Sequence, residues 1–408
     1  MIWPVRIQLW SYNYDPEPLG IAPVSTIWAK AMAARGYEVD VVAAHPHYPK
    51  PEWGSRVAPY REVRDGIPVT RLPLVVGRST SGRRMLQELS FLAVQTLACP
   101  FLGQPDAIIS VSPSFPALLP AMLASKTRRI PWYIWLQDIL PDGAATTGYI
   151  DRESWVYRFS RRLESSAYDS ARGIVVLSES FRDNLRAKGV PDSKMTLAYN
   201  PATIPVESVY PEVPNLDAPR ILCIGNIGKS QGLTGIVKDF EASETLAKRR
   251  ARLVITGTGV AEEEVRSVIR SDRVEMTGLL PRRELEAEFR RATLAAVTQS
   301  YDDEEFNVPS KLMNYLAAGL PVIASVRPES EAARIVETSQ SGWIAGPGDF
   351  GSTVEAALSD PDLLVSRSRN ATEFSSAKLA PEALADRFDD ILQSNLNSRE
   401  SVHVRYPA

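Results

Sequence analysis

The stretch FNVPSKLMNYLAAGLPVIASVRPESE, Phe306 to Glu331, reads in succession as loop, helix, turn, buried strand and acidic turn. Pro309 suits a position at or just outside a helix start, where no intrahelical N–H is required. Ser310 is placed to be the N-cap. Leu312, Tyr315 and Leu316 fall at i, i+3 and i+4 and form one apolar helical face. Gly319 is placed to end the helix in a left-handed conformation, and Pro321 discourages continuation. A helix start that offers free backbone N–H groups, a hydroxyl and the ammonium of Lys311 is an anion site, most naturally for phosphate. Taken by itself, the stretch reads equally well as an ordinary capped helix with a solvated lysine.

Outward from it, short apolar runs alternate with helical patterns. In the second half the strand-like runs are Arg220–Ile224, Arg252–Thr256, Arg273–Thr277, Thr293–Val297, Pro321–Ser325 and Gly342–Ala345. In the first half they are Arg6–Trp10, Val39–Ala43, Val69–Val75, Ala107–Val111, Trp132–Leu136 and Gly173–Leu177. Between them lie helical patterns at Pro23–Arg35, Phe115–Ser125, Trp155–Tyr168 and Ser180–Lys188. Apolar runs of this length, separated by helices, predict parallel sheets buried on both faces. Pro201, Pro205, Pro211, Pro214 and Pro219 crowd one segment with few periodic apolar residues, which reads as a linker. The expected organisation is therefore α/β, with two doubly wound Rossmann-like domains facing across a cleft. Residues 1–200 form the first domain, 201–219 the linker and 220–380 the second domain. Residues 381–408 form a terminal helix, Pro381–Ser394, and a polar tail, with the helix packing back toward the first domain.

Composition bounds the function. The chain has 408 residues, enough for two or three domains at about 150 residues each. Its hydrophobic share of 44% and charged share of 23% are ordinary for a globular enzyme, and a net charge of −3 gives no sign of nucleic-acid binding. Cys99 and Cys223 lie far apart in apolar surroundings and read as buried free thiols of a reducing cytosol. His45, His47 and His403 are too scattered for a metal site. The N-terminus runs directly into a strand pattern rather than a signal peptide, and no segment offers the roughly 18 apolar residues of a membrane span.

In open α/β sheets ligands bind beyond the carboxyl ends of strands, so the loops there carry the chemistry. The loop after the first strand of the second half is Gly225-Asn226-Ile227-Gly228-Lys229-Ser230-Gln231-Gly232. Its glycines allow close backbone approach to a ligand and Lys229 adds charge, although the spacing fits neither a P-loop nor GxGxxG. Gly20 lies in the corresponding loop of the first half. Asp138 and Asp142 follow the apolar strand Trp132–Leu136, where a carboxylate can take a proton, hydrogen-bond a sugar hydroxyl or cap the next helix. Thr256-Gly257-Thr258-Gly259 reads as a structural turn. His45 and His47 read as surface-loop residues that could touch an acceptor. Over 78–100, Arg78, Arg83 and Arg84 precede Met85, Leu86, Leu89, Phe91, Leu92, Val94 and Leu97. Such a helix either rests on an anionic membrane surface or packs in the core with a solvated basic start.

Together these residues resemble bacterial family 4 glycosyltransferases of the GT-B fold, in the colanic-acid and O-antigen branch that includes L-fucosamine-transferase-like proteins. The resemblance runs through Tyr14-Asp15-Pro16-Glu17 with Gly20 and Ile21, Gly36-Tyr37-Glu38-Val39, and Pro46-His47-Tyr48-Pro49. It continues through Gln137-Asp138, Leu177-Ser178-Glu179-Ser180, Gly225-Asn226-Ile227-Gly228 with Gln231-Gly232-Leu233, and Pro309-Ser310-Lys311-Leu312 with Leu316-Ala317-Ala318-Gly319. It implies a retaining, metal-independent transfer without cofactor, from a nucleotide diphosphate donor, UDP-linked, to a lipid-linked or other saccharide acceptor. It places Asp138 and Lys311 in catalysis. Gly20, Gly225, Asn226, Gly228, Lys229, Ser310, Lys311, Asn314 and Glu305 would bind the donor, and His47, Tyr48 and Asp142 the acceptor. The family's donor-binding Glu pair falls on Phe306 and Asn314. Asn314 can still meet a ribose hydroxyl, and Glu304 or Glu305 would replace the first Glu. The Arg and Lys of the diphosphate site fall near Asn226 and Gln231, which leaves the charge to Lys229 and Lys311. The implied setting is cytoplasmic, with peripheral membrane contact through 78–100. A catalytically silent sugar-nucleotide-binding partner and a GT-B sugar-nucleotide epimerase are the alternative readings.

Overall fold

The computed structural model describes residues 4–18, 20–47, 57–77, 81–112, 115–139, 151, 153–204, 216–301 and 308–403. The chain divides into two units, Met1–Pro201 with Pro381–Ala408, and Ala202–Ala380.

The first unit carries β1 (Arg6–Ser11), β2 (Glu38–Ala44), β3 (Tyr60–Arg64), β4 (Ile67–Leu72), β5 (Ala107–Ser112), β6 (Trp132–Leu136), β7 (Gly173–Val176) and β8 (Met195–Leu197). Its helices are α1 (Ala22–Ala34), α2 (Ser81–Ala98), α3 (Phe115–Arg128), α4 (Trp155–Ser170) and α5 (Glu179–Ala187). The sheet order is β3-β4-β2-β1-β5-β6-β7-β8. From β1 the chain winds one way to β2 and β4 and the other way to β5 through β8, so the order reverses beside β1. All pairings are parallel except β3 with β4, a hairpin turned at Asp65 and Gly66, both with positive φ. This antiparallel edge departs from the all-parallel expectation. The strand expected at Val69–Val75 ends at Leu72, because the hairpin register with β3 starts and stops it there.

The core between sheet and α1 is built by Ile7, Leu9, Val41, Val69, Ile109 and Trp135 from the strands and by Trp28 and Met32 from α1. The helix α2 reverses the usual polarity. Gln87, Phe91 and Gln95, spaced four apart, face inward and are fully buried. Gln87 donates to the Tyr12 hydroxyl at 2.6 Å and accepts from Gly77 N at 2.9 Å. Met85, Leu86, Leu89 and Leu97 point outward, with exposures from 52% to 74%. One of the expected α2 surface residues needs correction, since Phe91 belongs to the interior; Arg78 lies outside the described residues.

The second unit carries β9 (Arg220–Ile224), β10 (Arg252–Thr256), β11 (Val274–Gly278), β12 (Leu294–Thr298), β13 (Val322–Ser325) and β14 (Gly342–Ala345). Their order, β11-β10-β9-β12-β13-β14, is parallel throughout and reverses between β9 and β12. Its helices are α6 (Leu233–Ala242), α7 (Glu244–Lys248), α8 (Glu262–Val268), α9 (Arg282–Arg291), α10 (Ser310–Ala317), α11 (Glu331–Thr338), α12 (Phe350–Leu358) and α13 (Pro361–Lys378). Gly342 has no room for a side chain, since a Cβ there would lie 1.9 Å from Val322 O. That contact sets how closely β14 approaches β13. The chain then returns to the first unit as α14, Pro381–His403, longer than the expected Pro381–Ser394. Phe388 of α14 meets Trp28 and Trp135 edge-on at 5.1 and 5.2 Å, and Arg35 pairs with Asp386 at 2.6 Å. Aromatic rings in this geometry add to the area they bury.

Candidate active site

In the second unit, the order reversal puts the loops after β9 and β12 side by side, the position where open α/β sheets bind ligands. The β9 loop leaves the strand at Gly225, whose φ of +113 only glycine adopts without strain. It passes Asn226 and Gly228, forms a 3-10 turn over Lys229–Gln231, and enters α6 through Gly232 at φ +62. The turn Thr256–Gly259 holds this loop from behind. Gly225 N donates to Thr256 O at 2.9 Å, Ile227 N to Thr258 O at 3.0 Å, and Ala261 N to Ile227 O at 3.0 Å. A Cβ at Gly257 would lie 1.8 Å from Gly225 O, and one at Gly259 would lie 2.3 Å from Ile227 O. From the other side Ser300 N, just past β12, donates to Ser230 O at 2.6 Å. The loop is thus fixed by main-chain bonds on both flanks, with Gly225, Asn226 and Lys229 left exposed.

The α10 start faces this loop. Pro309 occupies the N-cap position and Ser310 is the first helical residue, so Ser310 is not the capping side chain expected from sequence. Among the described residues no side chain caps the helix, and the N–H groups of Ser310 and Lys311 keep their donor capacity for a ligand. Lys311 lies 9% exposed, with its Nζ donating to Gln231 Oε1 at 2.6 Å. Its Cε comes within 3.6 Å of the position a Gly225 Cβ would take. Among the described residues no carboxylate pairs with it. Burial pushes the Cys223 thiol up, and the nearby Lys311 charge pulls the other way. A further anchor is Tyr315, fully buried, whose hydroxyl accepts from Ile224 N at 2.7 Å. That bond ties the end of β9 to the helix carrying Lys311.

Asn314 does a different task from the one expected. Its Oδ1 accepts from Thr203 N at 2.8 Å and Ile204 N at 3.0 Å, and its Nδ2 donates to Ser310 O at 3.3 Å. The amide therefore fastens the start of the expected linker to α10 and is occupied by main chain rather than open to a ribose.

In the first unit, Asp138 follows β6 and is half-buried, and burial raises its carboxyl above the usual range. Beside it Gln137 and Asn200 exchange amide hydrogen bonds at 2.7 and 3.2 Å, tying the β6 loop to the end of this part of the unit. Gly20, at φ +68 and exposed, sits at the end of the loop from β1 into α1. His47 is not a surface residue. It is 1% exposed, edge-on to Tyr12 at 4.9 Å, with its N–H donating to Glu17 Oε1 at 2.7 Å and Nδ1 lying 2.9 Å from His45 O. Glu17, itself buried, also accepts from Asn13 Nδ2 at 2.8 Å. Tyr48, Asp142, Glu304, Glu305 and Phe306 lie outside the described residues.

Sequence reasoning missed what Gln231, Tyr315 and Glu17 do. Gln231 was legible only as the residue standing where a cation was expected, and Glu17 only as part of a proline-flanked loop. Both cysteines are buried free thiols, with Cys99 pushed up to about 11 by burial. Among the described residues no three His, Cys, Asp or Glu side chains gather as metal ligands, and no helix is long and apolar enough to cross a membrane.

Comparison with known proteins bears on both units. Residues 20–201 match the glycosyl transferase 4-like domain, and residues 218–360 match the glycosyl transferases group 1 family. WcaI of Escherichia coli (strain K12), named for colanic acid biosynthesis as a glycosyl transferase, is 24% identical over 94% of this chain and 98% of its own. The glycosyltransferase WbjE of Pseudomonas aeruginosa is 27% identical over 53% of this chain and 56% of its own. Among solved structures, Anabaena Alr3699/HepE in complex with UDP superposes with a TM-score of 0.67 at 15% identity, covering 96% of this chain and 100% of that one.

Proposed function

We propose that the chain is a GT-B glycosyltransferase of the colanic-acid and O-antigen type acting in polysaccharide biosynthesis, and that it moves a sugar from a UDP-linked donor to a lipid-linked saccharide acceptor, with retention and without a metal. The observation that carries the donor half is Lys311. A buried ammonium whose one described partner is a neutral amide is costly unless an anion completes it. It stands beside an uncapped helix start and the backbone of a glycine loop, both suited to phosphate oxygens.

In the proposed reaction the donor C1–O bond breaks and its electron pair goes to the β-phosphate oxygen. Lys311 and the α10 N–H groups stabilise that developing charge, where fixed donors act most strongly. The acceptor hydroxyl oxygen forms the new C1–O bond on the same face, and its proton passes to the leaving diphosphate. We assign Asp138 to the acceptor hydroxyl. A carboxyl raised by burial is poised nearer neutral pH than an exposed one.

The acceptor half rests on the outward apolar face of α2, formed by Met85, Leu86, Leu89 and Leu97 with exposed Arg83 at its start. An amphipathic helix of this kind lies in a membrane interface, where lipid-linked saccharides are found. UDP release from a panel of UDP-sugars, with and without a prenyl-diphosphate-linked saccharide, is the test. Acceptor-dependent release of UDP with a product of unchanged anomeric configuration is expected. Binding of UDP-sugars without release under any condition would overturn the reading in favour of a silent partner.

A further inference from the structure

The hairpin at the edge of the first sheet turns different residues to its two faces. Arg71 of β4, with no exposure, pairs with Glu62 at 2.8 Å on the same face and donates to the main-chain oxygens of Ala44 and Asp15. The opposite face presents Arg61 paired with Thr70, and Val63 paired with Pro68. Sheets of this class are ordinarily covered by helices on both sides. On this face β4 meets α2. The flank of α2 runs beside it and leaves a groove of about 660 Å³.

The groove walls are apolar. Val94 and Leu97 of α2 and Phe101 of the following 3-10 turn supply one side, and Leu72 and Thr70 supply the other. Leu97 and Phe101 are 74% and 79% exposed, an unusual state for large apolar side chains that line a concavity. Arg61 is the one charged residue among the described residues of the lining. Leu97 also belongs to the outward stripe of α2, so groove and apolar face are continuous.

We propose that this groove holds the isoprenoid chain of the lipid-linked acceptor, with Arg61 toward its phosphate end. The proposal rests on the acceptor class given above. A flat apolar face is enough to rest on a bilayer. A concavity of this volume, within the ordinary range of ligand pockets, serves where a single chain is singled out from the surrounding lipid. One cation at the rim suits one anionic head.

Equilibrium dialysis of radiolabelled geranylgeranyl monophosphate against the full chain, in detergent-free buffer, tests it. Saturable binding is expected, weakened at least tenfold by Ala98→Trp, which fills the groove, with an unchanged circular-dichroism melt. The pair Leu97→Ser and Phe101→Ser provides a second variant should the tryptophan disturb folding, and it should weaken binding similarly. Absence of saturable binding, or equal binding by both variants, would overturn the groove as a chain site. Equal competition by phosphatidylglycerol vesicles would overturn the assignment to the acceptor's chain. The acceptor reading itself is judged separately, by comparing turnover of a prenyl-linked and a chainless pyrophosphoryl saccharide. Equal turnover of those two would sink that reading whatever the dialysis shows.

Discussion

The Lys311 ammonium donates to the side-chain carbonyl of Gln231 at 2.6 Å, joining two residues 80 positions apart at the mouth of the second sheet. An amide at position 231 orients the ammonium without neutralising it. A carboxylate there would hold the lysine equally well but would compete with phosphate for its charge. The pair thus keeps a cation in place and available.

Lys311→Ala should lower turnover about a hundredfold at saturating donor, the usual scale for losing one transition-state donor. The melt should change little, because the mutation also removes a buried charge. UDP-release kinetics with a thermal melt on the same preparation check this, and unchanged turnover would remove Lys311 from the phosphate role.

Gln231→Glu should raise the KM for donor more than it lowers kcat, because a carboxylate at 2.6 Å would neutralise the ammonium in the resting enzyme. Lys229→Ala should act in the same direction but more weakly and with stronger salt dependence, since Lys229 is solvent-exposed. Identical donor KM in wild type and Gln231→Glu would show that the pair is structural only.

Gly257→Ala should destabilise the second unit by roughly 1–3 kcal/mol or more, the cost of overpacking a site that cannot relax. A Cβ there meets Gly225 O at 1.8 Å, so the β9 loop must shift and donor affinity should fall with stability. Denaturant titration and UDP calorimetry report the two effects. A variant with wild-type UDP affinity would show that the turn does not support the donor loop.

Asp138→Asn should raise the melting temperature near neutral pH while lowering transfer. Burial raises the folded-state carboxyl, so the native state binds the proton more tightly than the unfolded chain. Stability from this group is therefore complete below the unfolded carboxylate range of about 4 and is lost as pH rises through the folded value. The amide has no such loss, so its advantage should close as the solution is acidified. A gain that does not depend on pH would point to packing instead.

Serine at Met85, Leu86 and Leu89 together should abolish co-sedimentation with anionic vesicles at low salt and leave the melt nearly unchanged, because all three face outward. Basic residues near such a surface add about 1 kcal/mol each, so Arg83→Ser should weaken binding modestly. Phe91→Ser should instead unfold the helix region, since Phe91 is buried. If the triple variant sediments like wild type, α2 is not the docking element.

By itself the sequence determined twelve of the fourteen described strands, the two-unit architecture and the start of α10 just after Pro309. Those features follow from local periodicity, from Pro309 and from Gly319 at φ +68, which act within a few residues of themselves. It did not determine which way α2 turns. Phe91 and Leu89 are both apolar, and only the neighbours that Tyr12 and the β1 loop place beneath the helix choose between them. Nor did it determine that Asn314 binds the main chain of 203 and 204, that His47 is buried against Tyr12, or that β3 closes the sheet in antiparallel fashion. Each of these is a pairing between distant segments, and its energy exists only once the sheet has brought those segments within hydrogen-bond reach.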